Sequence, residues 1–158
     1  MLNKEALERL SKAELLSIIK KHLPDISELD ISIKKETDSV PISVFNNKEL
    51  SSLETICKYL KENSNLSYHE IAVLLNRNDR TIWTTYNNAK KKLASAFVVT
   101  QSDYFIPLSI FKERKLAVLE SIAVYLKDQQ GLSFHQIAVL LNRNDRTIWT
   151  VYNRGKKK

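Results

Sequence analysis

The 158 residues carry a formal net charge of +7 and are 43% hydrophobic, enough apolar material for a core and too much for wholesale disorder. Two glycines, three prolines and one cysteine leave little turn chemistry and no disulfide framework. No apolar run approaches the roughly 18 residues of a membrane helix, and the first residues form no apolar signal segment. A mainly α protein of a reducing cytoplasm, without a membrane partner, is the reading that remains.

Taken in chain order, residues 1–29 predict a helical hairpin. Leu2, Ala6, Leu7 and Leu10 form one short stripe, and Ser11 with Glu14 forms a capping box ahead of Leu15, Leu16, Ile18, Ile19 and Leu23. So small a hairpin cannot bury its apolar face alone. It is expected to pack on the rest of the chain or on a second copy, with a homodimer through these N-terminal helices preferred.

From there the chain repeats itself. Residues 41–92 recur as 107–158 at a constant offset of 66, with 32 of 52 positions identical, and residues 71–84 return unchanged as 137–150. Each copy begins with short β-branched and aromatic runs: Ile31 and Ile33 match Phe97 and Val99, while Val40, Ile42 and Phe45 match Ile106, Leu108 and Phe111. Two readings of these runs stay open. They pair between copies in a small ribbon, limited to edges by Pro41 and Pro107, or they are extended linkers covering the core.

In the first copy Asn46 and Asn47 precede Leu50, Leu53, Ile56 and Leu60, spaced for a helix of about four turns. Cys57, whose counterpart is Ala123, reads as a small buried apolar residue. The turn at Asn63 and Asn65 ends this helix, and Ser67 with Glu70 makes a capping box that Ser133 and Gln136 repeat. The short helix so opened must stop near Asn76, a residue that tolerates the left-handed conformation. Asn78 is then the N-cap of a last helix over about residues 79–92, with Ile82, Tyr86 and Ala89 on one face and Asp79 in its first turn. Tyr86 and Tyr152 are expected in the core.

The charge is localised. Residues 76–92 hold five cations against Asp79, a net of +4, and residues 142–158 hold six against Asp145, a net of +5, so the remainder of the chain is −2. A basic cluster at the same place in both copies suits a polyanion, although lysines also suit a helix C-terminus.

Counted from Tyr68, the fifth residue is Ala72, the ninth Asn76 and the fifteenth Ile82; counted from Phe134 they are Ala138, Asn142 and Ile148. A helix-turn-helix needs a small residue, a left-handed residue and an aliphatic lock at those places. The segment LSYHEIAVLLNRNDRTIWTTYNNAKKKL, residues 66–93, resembles the helix-turn-helix of region four of bacterial sigma factors and related regulators, archaeal ones included. The resemblance covers about 28 residues per copy. It departs at Asn76 and Asn142, where the family often has glycine, and at Arg77 and Arg143, where it is usually aliphatic; no promoter-melting region is present. It implies a second helix entering the major groove, with Arg80, Trp83 and Thr84, and Arg146, Trp149 and Thr150, as readers.

The candidate DNA-binding residues are Arg77, Asn78, Arg80, Thr81, Trp83, Thr84, Asn87, Lys90 and Lys91, with Arg143, Asn144, Arg146, Thr147, Trp149, Thr150, Asn153, Lys156 and Lys157. Arg80 and Arg146 suit bidentate contact to guanine; the alternative is an exposed arginine pairing with Asp79 or Asp145. Each tryptophan follows an inward isoleucine, and packing on its own repeat or between repeats is preferred to contact with DNA or a partner. His69 and His135 read as surface residues, with contact to a passing phosphate as the alternative. There is no Gly-rich phosphate loop, clustered carboxylate set, nucleophile–base arrangement or metal-ligand spacing, so neither an active site nor a cofactor or metal is expected.

The fold expected is mainly α: tandem duplicated helix-turn-helix domains over 30–93 and 94–158, with short extended segments, behind the N-terminal segment 1–29. The function expected is sequence-specific binding of double-stranded DNA by a transcription regulator located at the nucleoid, whose two tethered helix-turn-helix modules read a repeated site, direct or inverted. The alternatives are an architectural DNA-binding protein with little base reading, or an adaptor for RNA polymerase or structured RNA.

Overall fold

Strand β1 (Ser39–Pro41) leads into a 3-10 turn (Ile42–Phe45), then helices α1 (Ser52–Glu62), α2 (Tyr68–Leu75) and α3 (Asp79–Lys92). The order then recurs: β2 (Phe105–Pro107), a 3-10 turn (Leu108–Phe111), α4 (Val118–Val124) prolonged by a π-helical turn (Tyr125–Gln129), α5 (Phe134–Leu141) and α6 (Asp145–Lys156). This is a computed structural model describing residues 38–158 together with Ser17, Ile18 and Lys21. The hairpin reading of residues 1–29 and the run at Ile31 and Ile33 otherwise lie outside the described residues. Among the described residues the molecule is mainly helical with one two-stranded sheet, and no helix there is long and apolar enough to cross a membrane.

Local chemistry accounts for the helix boundaries. Helix α1 starts later than Asn46 and Asn47 suggest and runs 11 residues, about three turns rather than four. Its cap is Ser51, whose hydroxyl accepts from the Glu54 N–H while the Glu54 carboxylate accepts from the Ser51 N–H at 2.8 Å. Leu50 precedes the helix and is buried nonetheless. In the second copy Ala117 has no hydroxyl, and only the return bond survives, from its N–H to Glu120 at 2.9 Å. The turns after α1 and the π turn need a positive φ, supplied by Asn65 at 54° and Gly131 at 68°.

The ribbon is the reading the extended segments take. β1 and β2 pair antiparallel, with Val40 opposite Ile106, Ser39 opposite Pro107 and Pro41 opposite Phe105. In a two-stranded sheet every strand is an edge, so both prolines are tolerated. Phe97 and Val99 join no strand. The turns behind the strands are exchanged: Leu108–Phe111 packs on α2, and Ile42–Phe45 packs on α5. Each turn also touches the first helix of its own copy, and α1 packs on α4.

One core results. Ile42, Val44, Phe45, Leu108 and Phe111 from the turns are buried together with Ile56, Leu60, Ile71, Leu75, Ile82, Ile122, Ile137, Leu141 and Ile148. Cys57 and Ala123 are both fully buried, and burial pushes the Cys57 thiol up to about 12. That thiol is an inert filler of apolar space, as expected.

Candidate functional site

The outward helices α3 and α6 owe their placement to a chain of short-range bonds. Ser67 and Glu70 form the reciprocal capping box at the start of α2, with the Ser67 N–H donating to Glu70 at 2.7 Å; Ser133 and Gln136 do the same for α5 at 2.8 Å. Both short helices end on a left-handed asparagine, Asn76 at φ 50°, ψ 52° and Asn142 at φ 51°, ψ 49°. The chain turns there because the Arg77 and Arg143 N–H groups still reach back to the Ala72 and Ala138 carbonyls at 2.9 Å. Two residues on, the Asn78 and Asn144 side-chain oxygens each accept from a threonine N–H, of Thr81 and Thr147, at 2.7 Å.

Packing then fixes the roll of each helix. Ala72 and Ile82, and Ala138 and Ile148, are buried where the paired helices meet. Tyr86 lies against Tyr68 with ring centroids 5.8 Å apart, and Tyr152 against Phe134 at 5.4 Å. The Tyr86 hydroxyl donates to Glu62 at 3.0 Å and the Tyr152 hydroxyl to Asp128 at 2.8 Å, so each outward helix is tied to the first helix or π turn of its copy. Tyr86 is buried as expected, whereas Tyr152 is only half-buried.

With Ile82, Tyr86 and Ala89 turned inward, Arg80, Trp83, Thr84, Lys90 and Lys91 are exposed along α3. On α6 the exposed set is Arg146, Trp149, Thr150, Lys156 and Lys157. Arg77, Thr81, Asn87, Arg143, Thr147 and Asn153 are half-buried, and Asn78 and Asn144 are exposed but committed to capping. Asn87 and Asn153 donate to the Trp83 and Trp149 carbonyls at 2.8 Å, holding their amides close to the helix backbone. The tryptophans contradict the preferred packing reading. Both are 55% exposed, because a residue one place after the inward isoleucine is rotated about 100° from it, beyond the edge of the packed face.

The electrostatics separate the arginines from the lysines. Among the described residues neither Arg80 nor Arg146 forms an ion pair, and the expected rivals Asp79 and Asp145 instead lie 3.1 Å from Nδ1 of His69 and His135. Several lysines are already engaged: Lys92 with Glu54 at 2.9 Å, Lys158 with Glu120 at 2.8 Å and Lys156 with Asp128 at 2.8 Å. Thus Lys156 differs from its counterpart Lys90, which has no carboxylate partner among the described residues.

Comparison with protein-family models, curated proteins and solved structures gives no match.

Two elements of the site escaped the sequence reading. Arg154 joins Arg146, Thr147 and Thr150 around an open depression along α6; its spacing of seven residues from Thr147 and four from Thr150, one helix face, was the available signal. The His69–Asp79 contact spans ten residues and crosses a turn, a separation for which helical periodicity gives no cue.

Proposed function

We propose that the chain is a transcription regulator that binds double-stranded DNA sequence-specifically through two tandem helix-turn-helix modules, with α3 and α6 as the reading helices. One observation carries this reading: an arginine without an ion-pair partner among the described residues, an exposed tryptophan and an exposed threonine stand at matching places on two helices capped by matching bonds. Arg80 and Arg146 are free to fork onto guanine, worth about 1–3 kcal/mol of discrimination each. Thr84 and Thr150 lie one turn further on, within reach of a thymine methyl or a phosphate. Lys90, Lys91 and Lys157 supply the sequence-independent attraction to phosphates. The working location is the cytoplasm, at the nucleoid.

Tethering multiplies weak heads. With the second contact intramolecular, an effective concentration of order mM makes two modest affinities into one tight one. The architectural alternative is weaker, since Lys92, Lys156 and Lys158 of the basic tails are bound to carboxylates of their own copies.

Selection of bound duplexes from a random pool, followed by affinity measurement against salt, tests the reading. Enrichment of a defined sequence is expected, and Arg80→Ala with Arg146→Ala should lower discrimination between that sequence and a scrambled one about 100-fold or more. Equal affinity for all duplexes would defeat it. A second reading rests on the exposed Trp83 and Trp149: an adaptor that meets RNA polymerase or structured RNA. Indole fluorescence unmoved by any duplex, with capture of polymerase, would favour that reading.

A further inference from the structure

The contacts between the two copies are reciprocal, and this reciprocity fixes a symmetry. Val40 faces Ile106, its own counterpart at the 66-residue offset, in an antiparallel pair. The Ile42 N–H donates to the Tyr104 carbonyl at 3.0 Å, and the Leu108 N–H donates to the Asp38 carbonyl at 2.8 Å. Both donors and both acceptors are again separated by 66 residues. The turn of the first copy covers α5 while the turn of the second covers α2, and α1 meets α4, its own counterpart. A head-to-tail relation would make such contacts in one direction only. Contacts in which i meets j and j meets i belong to a twofold axis, here passing between Val40 and Ile106.

We propose that a single chain reads an inverted repeat, presenting α3 and α6 to the two halves of a DNA palindrome as a symmetric dimer would. This rests on the reading that these helices bind duplex DNA. Residues 71–84 and 137–150 are identical, so both heads select the same bases. A twofold turns the second head to face the opposite strand direction, and the duplex has matching dyads of its own. Identical readers related by that axis select a palindrome, whereas a direct repeat would need a translation between them. Size limits the spacing. The compact unit over residues 37–158 has a radius of gyration of about 14 Å, hence a body roughly 35 Å across. That is about one turn of B-DNA, which places the half-site centres about 10 base pairs apart.

The test uses the full chain and a random-sequence duplex pool. After selection, three duplexes carrying the enriched half-site are compared: an inverted repeat, a direct repeat and a single half-site. Native mass spectrometry gives the stoichiometry and fluorescence anisotropy the affinity. The expected result is enrichment of inverted repeats, one chain per duplex, and affinity for the direct repeat about 100-fold weaker and close to that for the single half-site. Enriched direct repeats, two duplexes held by one chain, or two chains on one inverted repeat would each overturn the palindrome while leaving specific DNA binding intact. A pool from which nothing is enriched sinks both.

Discussion

Nδ1 of His69 lies 3.1 Å from a carboxylate oxygen of Asp79, and His135 stands at the same distance from Asp145. The contact joins the first turns of α2 and α3 and keeps the acidic group beside Arg80 occupied with the imidazole rather than with the guanidinium. Replacing Asp79 and Asp145 by Asn removes one negative charge beside each proposed reader. Affinity for a mixed-sequence duplex should rise several-fold at low salt and converge on the parent's at high salt, because the effect is Coulombic. Anisotropy titrations at two ionic strengths measure this, and equal affinities at both would place this face away from phosphates. Stability should fall by about 0.3–1 kcal/mol per site, since each aspartate also favours its helix dipole.

The left-handed asparagines give a second expectation. Asn76→Ala and Asn142→Ala place a Cβ residue without a local hydrogen-bonding side chain at φ near 50°, at a cost of about 1–2 kcal/mol each. Glycine relieves that strain, but the two sites should differ. The Asn76 amide donates to the Lys112 carbonyl at 2.9 Å, so Asn76→Gly loses a bond worth about 1 kcal/mol. No such bond is made by Asn142 among the described residues. Urea unfolding should rank Asn142→Gly above Asn76→Gly, and the reverse order would mean that the bond between the copies contributes nothing.

Lys58 is fully buried, with its ammonium 2.7 and 2.8 Å from the two oxygens of Glu62. The second copy solves the same place differently. Val124 stands for Lys58 and Gly155 for Ala89, and a Cβ at Gly155 would come 3.0 Å from the Val124 Cγ2. Meanwhile Lys156 takes the carboxylate of Asp128. Glu62→Ala strands a buried cation and should cost about 3–5 kcal/mol. Lys58→Val with Ala89→Gly copies the second arrangement and should cost clearly less, with Lys90 drawn to Glu62. Lys58→Val alone should be worse than the double variant, because the Ala89 methyl then crowds the valine. Chemical unfolding of the three variants checks the order.

Acid should loosen the attachment of the outward helices. Hydrogen bonds from Lys156 and Tyr152 hold the Asp128 carboxyl below its ordinary value. Burial pushes the Glu54 and Glu120 carboxyls up, but hydrogen bonds from Lys92 and Lys158, with backbone N–H bonds at Ser51 and Ala117, outweigh it, leaving both lowered. A carboxyl lowered in the folded state stabilises the fold above its unfolded value, 3.8 for the aspartate and 4.5 for the glutamates, and loses that contribution as pH falls through the folded value. Thermal unfolding should therefore be flat above about pH 5 and decline below it. Lys156→Met and Lys158→Met should flatten that decline and lower stability on the plateau.

Much of this fold is legible in the sequence where chemistry is local. The capping boxes at Ser67 and Ser133, the left-handed asparagines and the caps at Asn78 and Asn144 are short-range bonds with a fixed spacing, and they stand where the spacing puts them. Asn46 and Asn47 compete in the sequence with Ser51 as caps for α1, but Asn47 closes a local turn instead, accepting from the Leu50 N–H and donating to the Val44 carbonyl at 2.9 Å. The exposure of Trp83 and Trp149 was not legible, since a residue at the margin of a helical stripe is buried or bare according to what packs beside it. The engagement of Lys156 by Asp128 depends on tertiary approach across 28 residues, which no pattern along the chain encodes.

The exchanged turns bear on any shortened form of the molecule. Severed between Lys92 and Phe105, the chain would yield two fragments, each keeping its turn against its own first helix but losing that turn's second seat, α5 for Ile42–Phe45 and α2 for Leu108–Phe111. Among the described residues each fragment bares the face of a short helix that the other's turn covers, so the couple, joined by a peptide link or merely clasped, is the body that closes.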